Sequence, residues 1–166
     1  CALHRYEARH AAVEHLARPL PLSVISESVG TADGSLCITF DGNAGGLGVS
    51  YVARWNGTAW SALGTGVSGP VRAIALDGSN VYVAGSFAVA GSVISLGVAR
   101  WDGSAWSAMG NPALNGSVYA LAVSHGAVYV GGFFTTAGGR SANNVARWNG
   151  TNWSALGSGL GNGVFA

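Results

Sequence analysis

Thirteen residues, Val52-Ala53-Arg54-Trp55-Asn56-Gly57-Thr58-Ala59-Trp60-Ser61-Ala62-Leu63-Gly64, return twice in this chain with small changes. The second copy covers 98–110, with Asp102, Ser104 and Met109, and the third covers 145–157, with Asn152. All six tryptophans lie in these copies, as Trp55/Trp60, Trp101/Trp106 and Trp148/Trp153, and the first indoles of the copies stand 46 and 47 residues apart. A fixed period of that length constrains the fold more than any other feature: each period must be one supersecondary unit that hides its apolar faces against its neighbours.

Within a period the residues read as four strands. The first is Val71-Arg72-Ala73-Ile74-Ala75-Leu76 or Val118-Tyr119-Ala120-Leu121-Ala122-Val123, alternating small alanines with larger residues. Turns at Asp77-Gly78-Ser79 and Ser124-His125-Gly126 lead to Val81-Tyr82-Val83 and Val128-Tyr129-Val130. These second strands end in Ala84-Gly85 and Gly131-Gly132, small residues that let another backbone come close. A ten-residue loop follows, at 88–97 or 135–144, and then the Val-Ala-Arg-Trp and Trp-Ser-Ala-Leu/Met strands. The Asn56-Gly57, Asp102-Gly103 and Asn149-Gly150 pairs are hairpin signals. A two-residue turn predicts Trp55 opposite Thr58, Arg54 opposite Ala59 and Ala53 opposite Trp60, with both indoles on one face. Burying an indole of roughly 150–250 Å² at about 25 cal/mol per Å² is worth at most about 4–6 kcal/mol, so the tryptophans read as packing cement rather than as a sugar platform. Arg54, Arg100 and Arg147, identical in every unit, read as structural, each against a backbone carbonyl or an indole face.

Residues 22–48 resemble a worn copy of the unit, with Leu22 to Ile25 as its first strand and Asp33-Gly34-Ser35-Leu36-Cys37-Ile38-Thr39-Phe40 aligned with the turn and second strand. Residues 1–21 are different in kind, holding His4, His10 and His15 and five charged residues by Arg18. They predict an extension that is either a short amphipathic N-terminal helix, stopped at Arg18-Pro19-Leu20-Pro21, or an unstructured tail. His10 and Glu14 have metal-ligand spacing, but a solvated helix face accounts for them more simply, and no metal or cofactor is expected. Cys1 and Cys37 read as two unrelated thiols, with a disulfide between them as the alternative. The sequence starts on Cys1, and 161–166 loosely repeats 114–120, so a fragment of a longer repeat protein is expected, with a further unit starting at 163–166.

Composition excludes several functions. With 27 glycines, 9% charged residues, no lysine and a net charge of +1, the chain offers nothing to draw nucleic acid. The uncharged stretch from Gly103 to Gly139 is broken too often to make a membrane span, so no membrane insertion is expected. The repeats hold one histidine, His125, and no carboxylate pair for acid–base work. Glycine-rich Ala137-Gly138-Gly139-Arg140 lacks the context of a phosphate loop.

Four strands per period, a second strand ending in Gly131-Gly132, and Trp153-Ser154-Ala155-Leu156 together resemble the kelch repeat, with Trp-Asn-Gly in place of that family's longer third-strand turn. The low charge is similar to kelch-type repeats of large bacterial secreted or surface proteins. The resemblance implies an all-β partial β-propeller of about three four-stranded antiparallel blades, at about 22–64, 71–110 and 118–157. It puts the first strand of each blade innermost, and the 88–97, 135–144, 64–70 and 110–116 segments together on one rim. Thr136, Arg140, Ser141, Asn143 and Asn144 are the most polar cluster there and the candidate binding rim. The implied function is a non-catalytic binding or adhesion scaffold, outside the cell or on its surface, for protein or glycan partners. The alternatives are a structural spacer in a large surface protein and, third, a propeller enzyme, although the ligands of kelch-like copper oxidases and the Asp box of sialidases are not found here. Three blades leave open strand edges, predicted to meet the remaining blades of a parent chain or to self-associate.

Overall fold

A computed structural model of the protein describes residues 25–30, 36–43 and 50–165. These residues are all-β, without a helix, and every paired strand runs antiparallel. The expected N-terminal extension, its helix and Cys1 lie outside the described residues.

Three four-stranded sheets follow one another along the chain, each ordered from its first strand to its last. The first holds β1 (Ile25–Gly30), β2 (Leu36–Asn43), β3 (Ser50–Trp55) and β4 (Trp60–Ala62). The worn copy therefore does form a sheet, and its first strand runs on beyond Ile25 to Gly30, while 22–24 lie outside the described residues. In the second sheet, β5 (Val71–Asp77) pairs with β6 (Asn80–Gly85). The short pair β7 (Val89–Ala90) and β8 (Val93–Ile94) intervenes before β9 (Val98–Trp101) and β10 (Trp106–Ala108) complete the sheet. The third sheet repeats this: β11 (Ser117–Ser124), β12 (Ala127–Phe133), then the short pair β13 (Thr136–Ala137) and β14 (Arg140–Ser141), then β15 (Val145–Trp148) and β16 (Trp153–Ala155). The ten-residue segments read as loops are thus small hairpins. Two-residue strands are too short for alternation to announce them.

The sheets stack face to face. Alternation along β6 and β9 sends Val81, Val83 and Ala99, together with Trp106 of β10, to a core shared with Cys37, Val52 and Leu63 of the first unit. It sends Tyr82, Ala84 and Val98 to a second core shared with Val118, Val128, Val130 and Trp153 of the third. The second sheet is therefore buried on both faces. β5 lies beside both β1 and β11, so the first strands converge while the fourth strands lie outermost. Gly85 and Gly132 let the second strand come close to the bulged start of the first strand in the same sheet. A Cβ on Gly85 would sit 2.1 Å from the Pro70 carbonyl oxygen, and one on Gly132 would sit 2.2 Å from that of Ser117, where bulges shift the register of β5 and β11.

The tryptophan hairpins correct the predicted register. Trp55 pairs with Trp60, Arg54 with Ser61 and Ala53 with Ala62, and the other two copies do the same. The connection is four residues long. Asn56 Oδ1 accepts the N–H groups of Thr58 and Ala59 at 2.9 and 2.8 Å, while the Asn56 N–H donates to the Ala59 carbonyl at 3.2 Å. Of the turn residues only Gly57 has positive φ, +98°, whereas a type I′ turn would need the asparagine there as well. The side-chain oxygen has replaced the backbone turn. Each indole pair consequently lies directly across the strands, with centroids 5.2–5.4 Å apart and rings tilted by 50–56°.

Candidate functional site

The link into the second or third unit and the loop after that unit's second strand lie together. Val67 bridges Ala90, and Leu114 bridges Ala137. One polar side chain in each link fixes the start of the small hairpin. Ser68 Oγ accepts the N–H groups of Ala88 and Val89 at 3.1 and 3.0 Å. At the equivalent place Asn115 Oδ1 accepts those of Thr135 and Thr136, both at 2.9 Å, and Asn115 Nδ2 donates to Thr135 Oγ1 at 2.8 Å. Each hairpin is closed at its base by the same backbone bonds, Ser95 N–H to Ala88 and Gly97 N–H to Phe87 in one, Ala142 N–H to Thr135 and Asn144 N–H to Phe134 in the other.

This construction leaves two grooves in equivalent positions. The first, about 530 Å³, runs between Ser86, Phe87 and Leu96 on one side and Asn115 and Ser117 on the other. Ser86 Oγ bonds to Ser117 Oγ across it at 2.9 Å. The second, about 700 Å³, lies between Phe133, Thr135, Asn143 and Asn144 and the segment 158–161.

The candidate rim residues divide between two places. Asn143 and Asn144 line the second groove, and both are committed to the chain itself. Asn143 Nδ2 donates to the Ser158 carbonyl at 3.1 Å, and Asn144 Nδ2 to that of Leu160 at 2.9 Å. Thr136, Arg140 and Ser141 stand instead on the β13–β14 hairpin, with Thr136 paired to Ser141. Arg140 and Ser141 are exposed, and neither lines a groove. Two residues escaped the sequence reading. Asn115 organises the rim, as its place in the link one unit after Ser68 could have indicated. Phe133, 67% exposed, supplies the apolar patch of the second groove. Its signal was the doubled Phe133-Phe134, which stands where the preceding unit has Ser86-Phe87.

Several other polar side chains bond within the chain. Arg100 donates through Nε and Nη2 to Asn80 Oδ1, at 3.0 and 2.8 Å. Arg147 lies 6.0 Å from the centre of the Tyr129 ring. In the second and third units the repeated arginine thus meets its own second strand rather than a carbonyl or an indole, and its partner changes because Ala127 stands where the preceding unit has Asn80. Burial raises the Tyr82 phenol above its ordinary value, against the lowering influence of Arg100. The N–H groups of Ala105 and Ser104, with the Ser104 hydroxyl, hold the exposed Asp102 carboxyl down at about 2. His125 sits in the β11–β12 turn with positive φ, its Nδ1 2.9 Å from Ser124 Oγ, and lines neither groove. Among the described residues there is no group of three metal-ligating side chains and no helix long and apolar enough to cross a membrane. Comparison with protein-family models, curated proteins and solved structures finds no match to this chain.

Proposed function

We propose that the three units are blades of a kelch-like β-propeller, and that the chain is a non-catalytic scaffold whose rim receives a protein or glycan partner outside the cell or on its surface. What supports the blade reading is the convergence of β1, β5 and β11, with four-stranded sheets stacked around them. Support for binding rests on one observation: the groove bounded by 158–161 combines an exposed aromatic face, Phe133, with amide and hydroxyl groups at its edge. Such a pairing suits a neutral partner, as the lack of charge in the groove requires.

Isothermal titration of the chain with neutral oligosaccharides and with uncharged peptides tests this. Binding of either class that Phe133→Ala abolishes, with the unfolding midpoint unchanged, is the expected result. Absence of binding, or binding indifferent to Phe133→Ala, would leave the spacer reading in its place. That reading draws its own support from Asn143 and Asn144, whose amides are spent on holding the segment after the last strand.

A further inference from the structure

Both internal junctions are built alike. The Trp106 indole N–H donates to the Leu63 carbonyl of the preceding unit at 2.7 Å, and Trp153 makes the same bond to Met109. Each ring lies on the glycine that follows its acceptor. A Cβ on Gly64 would stand 3.3 Å from Trp106, and one on Gly110 would stand 3.1 Å from Trp153. The receiving side chains, Leu63 and Val67 in one junction and Met109 and Leu114 in the other, are all no more than 3% exposed.

The third unit carries the same seat with nothing in it. Leu156 and Leu160 stand where the first unit has Leu63 and Val67, yet they are 39% and 49% exposed. The backbone already has the receiving shape: Gly159 N–H donates to the Leu156 carbonyl as Gly66 N–H does to that of Leu63, at 3.0 and 3.1 Å. A Cβ on Gly157, unlike those on Gly64 and Gly110, would meet nothing within 4 Å. At the other end of the chain Trp60 is half-buried against Trp55, and no carbonyl among the described residues accepts its N–H. One end therefore holds an indole donor, while the other holds a carbonyl with room for it and two exposed leucines.

We propose that a second copy of this chain seats its Trp55–Trp60 hairpin on Leu156, Gly157 and Leu160 of the first, so that the copies join head to tail through a third junction of the internal kind. The occupant is specified by the two junctions already present, which show what the seat accepts and by which atoms. Leu160 also belongs to the segment that bounds the second groove, whereas Leu156 and Gly157 line neither groove, so a change at Leu156 tests the junction apart from the rim. A head-to-tail contact is heterologous, and it links copies into a closed ring or a series.

Sedimentation velocity of the whole chain at micromolar concentration is expected to show two or more associated copies. Leu156→Asp places a charge in the seat and leaves the head intact, whereas Trp60→Ala removes the head and leaves the seat. Each variant alone is expected to sediment as a monomer with an unchanged circular dichroism spectrum. Mixed in equal amounts they retain one good junction and should form a pair, but nothing larger. A wild-type monomer, assembly that survives either variant, or folded variants that stay apart on mixing would overturn the proposal. If Trp60→Ala loses its spectrum, Trp60→Phe serves as the head variant; it removes the N–H and part of the ring and should weaken association at least about tenfold, and unweakened association would count against the junction.

Discussion

Replacing Trp106 by alanine tests how the units are held together. The side chain is 6% exposed, and it packs in the core between the first and second sheets. Large-to-alanine changes at buried tryptophans cost about 3–5 kcal/mol, because the transfer free energy is lost and a cavity remains. The indole N–H bond to Leu63 accounts for about 1 kcal/mol of this, since the Leu63 carbonyl keeps its bond from Gly66 and is not orphaned. For a chain of this length each kcal/mol moves the midpoint by about 2–4 °C, so Trp106→Ala should lower it by roughly 6–20 °C. Trp106→Phe, which keeps most of the apolar volume, should fall well short of that. Trp60→Ala is the internal control, measured in the Leu156→Asp background so that no second copy can cover the indole. Half-buried and without an acceptor, Trp60 should cost clearly less than Trp106. Scanning calorimetry reads all three. Equal losses at Trp60 and Trp106 would refute the claim that the second indole of a unit acts by bonding the unit before it.

Other perturbations separate turn chemistry from packing. The Asp102 carboxyl is held at about 2 against an ordinary 3.8, so its ionised form stabilises the folded chain above that ordinary value, and the contribution is lost as pH falls through about 2. Asp102→Asn, which copies the other two turns, should leave the neutral midpoint nearly unchanged and flatten its decline between those pH values; parallel profiles for variant and wild type would contradict the bonding described. Gly132→Ala should destabilise the third unit by more than about 2 kcal/mol, because its Cβ would fall against the Ser117 carbonyl. Arg140→Ala, by contrast, should leave urea unfolding unchanged, since that side chain is exposed on the β13–β14 hairpin.

The internal correspondences explain why the architecture could be read early. A face that must be buried twice over, as in the second sheet, demands apolar residues at every position, and Val81-Tyr82-Val83-Ala84 supplies them. In the second and third sheets the third strand begins and ends where the Val-Ala-Arg-Trp run does, and in the first it starts two residues earlier, at Ser50. Register was another matter. Asn-Gly suggested a two-residue turn, but the threonine or serine that follows the glycine allows the Asn or Asp oxygen to close a longer loop, and two indoles gain more by lying directly opposite than on a diagonal. For the candidate rim, the sequence could not tell an amide facing solvent from one bonded to a carbonyl fifteen residues ahead, as Asn143 is to Ser158.

By itself, then, the sequence determined the unit: its length, its four strands, its paired indoles, and the small residues where strands crowd together. These follow from periodicity and from local steric rules, which act within a few residues. Only the tertiary structure decided which sheet each indole serves, which arginine finds an amide and which an aromatic ring, and which leucines are left uncovered. Those outcomes depend on groups about twenty residues apart, such as Arg100 and Asn80, or more than forty, such as Trp106 and Leu63, and contacts of that range leave no mark on the residues between.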